Sequence, residues 1–218
     1  MNMLYFQKNY KTTQKKNDLC AENITIQVDY IFKDLGLQKN DRRLHVSYMG
    51  CGEALDNMLH VKLSMSLLSS EYTNITFGLA TILPKNKTKE FFELTDFVKK
   101  ENIKLKIHLS LHYTDDETRF KFMPSALGIT SSISALEYYS NYTGNDVEIH
   151  YTMIKGENDK PVNLFKLISL LKNRNINVKF LRFNKKDSNN SVESEKDSIN
   201  SFMLDLSLNL IKSEYYMS

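Results

Sequence analysis

Leu44-His45-Val46-Ser47-Tyr48-Met49-Gly50-Cys51-Gly52-Glu53-Ala54-Leu55-Asp56-Asn57 decides the fold of this chain. Its first half, 44–49, is a largely apolar run of strand length, and its second half starts a helical pattern. Two glycines and a glutamate occupy the handover between them. Glycine lets a backbone turn sharply and approach a ligand closely, and a carboxylate in such a turn can receive an ammonium group. Taken alone, Glu53 reads more readily as a solvated helix-start glutamate stabilised by the helix dipole.

Working outward, the same alternation repeats. Further strands are predicted at 75–80, 105–111, 146–154 and 177–183, and helices at 21–35, 54–68, 86–100, 129–141, 161–173 and 195–213. Gly36 reads as the stop of the first helix. Ser131 or Ser132 is expected to cap the helix at 129–141, and Pro161 suits the first turn of its helix. Strands separated by helices indicate parallel βαβ units, and the mostly apolar strands suit a sheet covered on both faces. In such sheets ligands bind at the C-terminal ends of the strands. Gly52-Glu53, His112, Lys155-Gly156 and Asn184 all fall there. The predicted fold class is therefore α/β, with about five parallel strands. The predicted organisation is an N-terminal arm at 1–18 and a single core at 19–213, in which the polar stretch 185–198 is a mobile loop.

Four ordered segments carry a resemblance. They are Met49-Gly50-Cys51-Gly52-Glu53; Ser110-Leu111-His112 with Asp115, Glu117, Arg119 and Met123-Pro124 behind it; Met153-Ile154-Lys155-Gly156-Glu157-Asn158-Asp159; and Phe180-Leu181-Arg182-Phe183-Asn184. With the preceding Leu19-Cys20-Ala21-Glu22-Asn23-Ile24-Thr25-Ile26-Gln27-Val28, they resemble the radical-SAM adenine-C2 RNA methyltransferases, the RlmN/Cfr family, from about Leu19 to Asn184. The resemblance implies a partial (β/α) barrel of the radical-SAM type. It also implies S-adenosylmethionine (SAM) as a ligand of Gly52, Glu53, Ser110, Leu111, His112 and Asn184.

The chain departs from that pattern where the chemistry lies. The family holds a [4Fe–4S] cluster through a Cys-x3-Cys-x2-Cys loop, because cluster iron takes thiolate ligands. This chain has two cysteines, Cys20 and Cys51. Cys51 reads as a small apolar filler where the family has methionine, and Cys20 as a helix N-cap position. Gly78 and Ala80 stand where the family places serines. No methyl-carrying cysteine is present near the C-terminus, and Ser213–Ser218 is read as leaving no room for a last strand. The first barrel strand is absent, which leaves the strand at 44–49 as an open edge unless Met3 to Phe6 covers it. No catalytic residue follows. The expectation is a degenerate SAM- or RNA-binding module. The alternatives are a truncated piece of an active RNA methyltransferase, or a subunit that a protein partner completes.

Composition bounds the rest. The 218 residues, 41% apolar and 25% charged, suit one sizeable core. No apolar run reaches membrane-span length and no secretory leader is evident, so a cytoplasmic location and no membrane partner are expected. The net charge of +3 does not call for nucleic acid, although Lys8, Lys11, Lys15 and Lys16 among Tyr5, Phe6 and Tyr10 form a mixture able to bind single-stranded RNA. No metal site is expected. His108 and His112 lie on the order of 13 Å apart along one strand, and His45, His60 and His150 read as isolated.

Overall fold

The computed structural model describes residues 18–39, 42–50, 52–183 and 191–216. Six strands are described: β1 (Leu44–Tyr48), β2 (Ile75–Thr81), β3 (Leu105–Ser110), β4 (Val147–Thr152), β5 (Asn177–Leu181) and β6 (Ser213–Tyr215). They form one sheet in the order β1-β2-β3-β4-β5-β6, an open α/β sheet of the partial-barrel kind. Among the described residues, α1 (Ala21–Asp34) precedes β1 and six α-helices lie between strands: α2 (Met58–Glu71), α3 (Thr88–Lys100), α4 (Asp116–Phe122), α5 (Ile129–Thr143), α6 (Pro161–Leu171) and α7 (Lys196–Leu208). The described residues divide into two compact units, those up to 81 with 87–106, and 82–86 with those from 107 onward.

In the first unit β1 and β2 pair in parallel, from Leu44 opposite Ile75 to Tyr48 opposite Leu79. Helix α1 buries Ala21, Val28 and Phe32, the face its apolar spacing foretells. Gly36, at φ +62°, ends it as expected. Phe32 meets Tyr72 with ring centroids 5.2 Å apart. Met65 and Leu68 of α2, Phe77 and Leu79 of β2, and Phe91, Leu94 and Val98 of α3 are also buried.

In the second unit β4 pairs in parallel with β3 and with β5, and β5 with β6. Strand β6 corrects the expectation that Ser213–Ser218 leaves no room for a further strand: Val178, Lys179 and Phe180 pair with Ser213, Glu214 and Tyr215. The helical pattern at 195–213 masks it, because α7 stops at Leu208 and the chain turns back through Leu210, at φ +61°. Helix α4 is also additional. Its seven residues are too few for a readable apolar face, and its start is fixed by the Asp115 carboxylate, which accepts from the Thr118 N–H at 2.8 Å.

The capping of α5 differs from the Ser131/Ser132 expectation. Both serines lie inside the helix, Gly128 precedes it, and the Asp116 carboxylate accepts from the Ile129 N–H at 2.8 Å. Pro161 does open α6, where the Asn163 amide oxygen accepts from the Lys160 N–H. Residues 191–195 are held to the end of β4: the Lys155 N–H donates to the Val192 carbonyl and the Ser194 N–H to the Met153 carbonyl. Met3 to Phe6, the lysine-bearing arm, Cys51 and Asn184 lie outside the described residues.

Candidate functional site

The turn after β1 belongs to the first unit. Gly50 and Gly52 sit at φ +117° and +82°, in the left-handed half of backbone space where a side chain is strained. A Cβ placed on Gly52 would meet nothing within 4 Å, so strain and not crowding makes glycine fit there. Gly50 and Gly52 are both exposed. Glu53 then accepts from the Leu55 N–H at 3.2 Å and caps a short 3-10 turn, 54–57, that leads into α2. The Lys87 ammonium lies 3.6 Å from Asp56 in that turn and 3.1 Å from Glu90 of α3. Gly52 and Glu53 are therefore brought together, with the carboxylate used at least in part as a cap.

Ser110, Leu111 and His112 lie in the second unit, where β3 ends. Leu111 is fully buried, its N–H donates to the His150 carbonyl at 3.1 Å, and its carbonyl accepts from Arg119 Nε at 3.3 Å. Its side chain serves the core while its backbone serves the loop. His112 breaks the strand's alternation by adopting φ +56°. This conformation is rare outside glycine and persists only where neighbours impose it. Two contacts do so. His112 Nδ1 accepts from the Thr152 N–H at 3.1 Å, and the His112 carbonyl accepts from Asn158 Nδ2 at 2.7 Å. Since Nδ1 is an acceptor, the neutral ring carries its proton on Nε2. Burial first, then the positive fields of His150 and Arg119, push the His112 pKa down to about 4. His112 is therefore a neutral imidazole at physiological pH, able to donate one hydrogen bond from Nε2.

Two residues organise this end of the sheet. Asn158 is fully buried; it donates to the carbonyls of His112 and Thr152, accepts from the Ile154 N–H at 2.6 Å, and offers its own carbonyl to the Tyr151 hydroxyl. Asp159 beside it accepts from the Gly156 N–H and from the Ser194 hydroxyl. Asn158-Asp159 is thus a clamp joining the ends of β3 and β4. Arg119, also fully buried, donates to the carbonyls of Ile82, Ser110, Leu111 and Leu127. Desolvation lowers its pKa to about 10, with Asp116 opposing. Neither residue is among the predicted ligand contacts, although both lie inside the motifs that carry the resemblance.

The reading of His150 as isolated is corrected. His108, Glu148 and His150 form a buried cluster in the second unit, with one potential ligand atom of each within 4.8 Å of the others. The pairing of His108 with Glu148 and of Ser110 with His150 across β3 and β4 produces it. A readable signal exists: in β4 the apolar Val147, Ile149 and Tyr151 alternate with Glu148, His150 and Thr152, so one face of a buried strand is polar.

No family model matches the chain. By sequence the chain is similar to a probable dual-specificity RNA methyltransferase RlmN of Dictyoglomus thermophilum, 30% identical over 178 residues, covering 78% of this chain and 48% of that protein. It is equally similar to its counterpart in Clostridium botulinum strain Langeland, 30% identical over 193 residues, covering 85% and 53%. The chain thus spans about half the length of the curated relatives it matches. By fold it resembles a radical SAM methyltransferase from Sphaerobacter thermophilus, with TM-score 0.72 and 22% identity over 91% of this chain and 57% of that one. It also resembles Streptococcus suis SuiB bound to S-adenosylmethionine, with TM-score 0.65 and 13% identity over 94% and 45%. No described helix is long and apolar enough to cross a membrane.

Proposed function

The chain belongs to the RlmN/Cfr-type family, and from that premise we propose that it is a SAM- or RNA-binding module of the radical-SAM methyltransferase core that does not itself generate a radical. The donor set carries this reading. A [4Fe–4S] cluster of the family's kind takes three cysteine thiolates, and these 218 residues hold two cysteines. The residues present do not fit the cluster, so no step is assigned to it.

For binding, each unit supplies suitable groups. The glycine turn and the Glu53 carboxylate suit the ammonium end of an amino-acid-like ligand, and the neutral His112 Nε2–H suits an acceptor on a nucleoside. Ser110 and the backbone of Leu111 complete that strand end, and Asn184 is the remaining contact in this reading. The location that goes with this role is cytoplasmic. The test is calorimetry with SAM and S-adenosylhomocysteine on the purified chain. We expect weak saturable binding that Glu53→Ala abolishes, and no [4Fe–4S] chromophore after anaerobic reconstitution with iron and sulfide. No heat at millimolar ligand would remove the SAM reading, and a stoichiometric cluster would overturn the absence of radical chemistry.

A second reading is supported by β1, which stands at one end of the strand order with β2 as its one partner among the described strands. An unpaired edge recruits another strand. In that reading the chain is a subunit, or a segment of a longer enzyme, whose missing strand comes from elsewhere. Strong amide protection along 44–48 in a verified monomer, with residues 3–6 unprotected, would count against it.

A further inference from the structure

We propose that His108, Glu148 and His150 form a binding site for a divalent transition ion of the zinc type, with a ligand position left open. This site lies wholly in the second unit and is independent of the Glu53 turn and of any iron–sulfur cluster. His108 Nδ1 lies 3.1 Å and His150 Nε2 3.3 Å from the same Glu148 Oε1. The two imidazoles are 4.7 Å apart, centroid to centroid. Around tetrahedral zinc, with bonds of about 2.0–2.1 Å, neighbouring ligand atoms stand about 3.3–3.4 Å apart. Both nitrogen–oxygen separations already have that size, and the rings need only a small rotation to bring the third pair in from its present limit of 4.8 Å.

Burial makes the cluster unusual. His108, Glu148 and His150 are 7%, 2% and 8% exposed. Moreover, His150 Nε2 is buried and makes no hydrogen bond. The Glu148 oxygen stands within ion-pair distance of it but not in hydrogen-bond geometry. A buried polar atom left this way is costly, and a metal ion at the centre of the cluster satisfies that nitrogen. Two imidazoles and one carboxylate are the donor set of open catalytic zinc sites, where water takes the fourth position. They suit zinc or cobalt and do not suit magnesium, which prefers all-oxygen coordination.

The test uses the full chain, stripped with chelator and titrated with Zn2+, Co2+ and Mg2+. We expect one tightly held Zn2+ per chain by calorimetry and elemental analysis, no saturable Mg2+, and a Co2+ spectrum of four-coordinate type without a thiolate charge-transfer band. Changing a residue that only orients a metal ligand already costs about 10–100-fold in affinity, so Glu148→Gln and His150→Gln should each cost about 100-fold or more, while His60→Gln costs nothing. In the unsubstituted chain, zinc should shift the ring nitrogen resonances of His108 and His150, a reading that does not depend on a variant folding. The proposal is overturned by absent zinc binding, by a thiolate band that places the ion on a cysteine, by ring shifts confined to other histidines, or by folded variants that bind zinc as the parent does.

Discussion

The turn after β1 and the turn after β3 do the same topological job and are built in opposite ways. Glu53 at the first is tied back by a cap on the Leu55 N–H, and a Cβ added at Gly52 would meet empty space. His112 at the second is held from both sides, by Thr152 on its ring and by Asn158 on its carbonyl, and the carbonyls of the two residues before it are gripped by the buried Arg119. One turn is glycine-built and exposed; the other is a closed polar lattice inside the core. Substitutions at the first should therefore be read out in ligand binding, and substitutions at the second in stability.

The largest effect belongs to Arg119. Its guanidinium serves four backbone carbonyls, and each buried acceptor left unpaired costs about 1–3 kcal/mol. Arg119→Ala should lose about 4 kcal/mol or more in urea unfolding, a large share of the stability of any domain. Arg119→Lys should recover little, because a single ammonium cannot span the same four acceptors. A loss below about 1 kcal/mol would show that water replaces the guanidinium, and the contrast between the two turns would collapse.

Asn158→Ala comes next, at about 3 kcal/mol, for one N–H and two carbonyls released within the same clamp. Asn158→Asp is the sharper variant, since it keeps the shape yet cannot donate to either carbonyl. Hydrogen exchange at the Ile154 amide should accelerate in both. Unchanged protection there would show that the turn keeps its conformation without the side chain.

Acid should reveal the third difference. His112 titrates near 6.5 when unfolded and at about 4 when folded, chiefly because its ring is buried. Above pH 6.5 neither state binds the proton and the residue has no effect. As pH falls from about 6.5 to 4 the unfolded chain alone becomes protonated, and stability drops by about 3 kcal/mol. Carboxylates titrate in the same range, so the measurement is the difference between the parent and His112→Gln. Parallel stability curves over that interval would show that the imidazole is protonated in the fold after all.

The contrast also explains what was legible in the sequence. The strands at 44–49, 75–80, 105–111, 146–154 and 177–183 announce themselves because each carries a run of apolar residues at least at alternate positions, as Val147, Ile149 and Tyr151 do in β4 and Val178 and Phe180 in β5. The sixth strand, at Ser213–Tyr215, has three residues and no such run, so the helical pattern ahead of it conceals it. The glycine turn is readable because only residue type permits its φ values. The left-handed His112 is not readable, because its backbone is imposed by Asn158, 46 residues away. The same holds for His108 and Glu148, 40 residues apart in sequence and 3.1 Å apart in space. Spacing rules find ligands on one element, and strand register assembles this set from two.

The smallest expected change in stability is at Glu53, and it is the one that discriminates best. Glu53→Ala removes a side-chain cap from a short turn, a loss of about 1 kcal/mol or less. Glu53→Gln keeps the acceptor oxygen that serves the Leu55 N–H and removes the charge. If the carboxylate is chiefly a cap, Gln restores stability and leaves any SAM binding as it was. If it receives an ammonium group, Gln restores stability but not binding, because the neutral amide lacks the charge that makes such a hydrogen bond strong. We expect the second pattern, read by calorimetry beside urea unfolding on the same preparations. A Glu53→Ala loss as large as that of Asn158→Ala would erase the distinction between an open turn and a closed one.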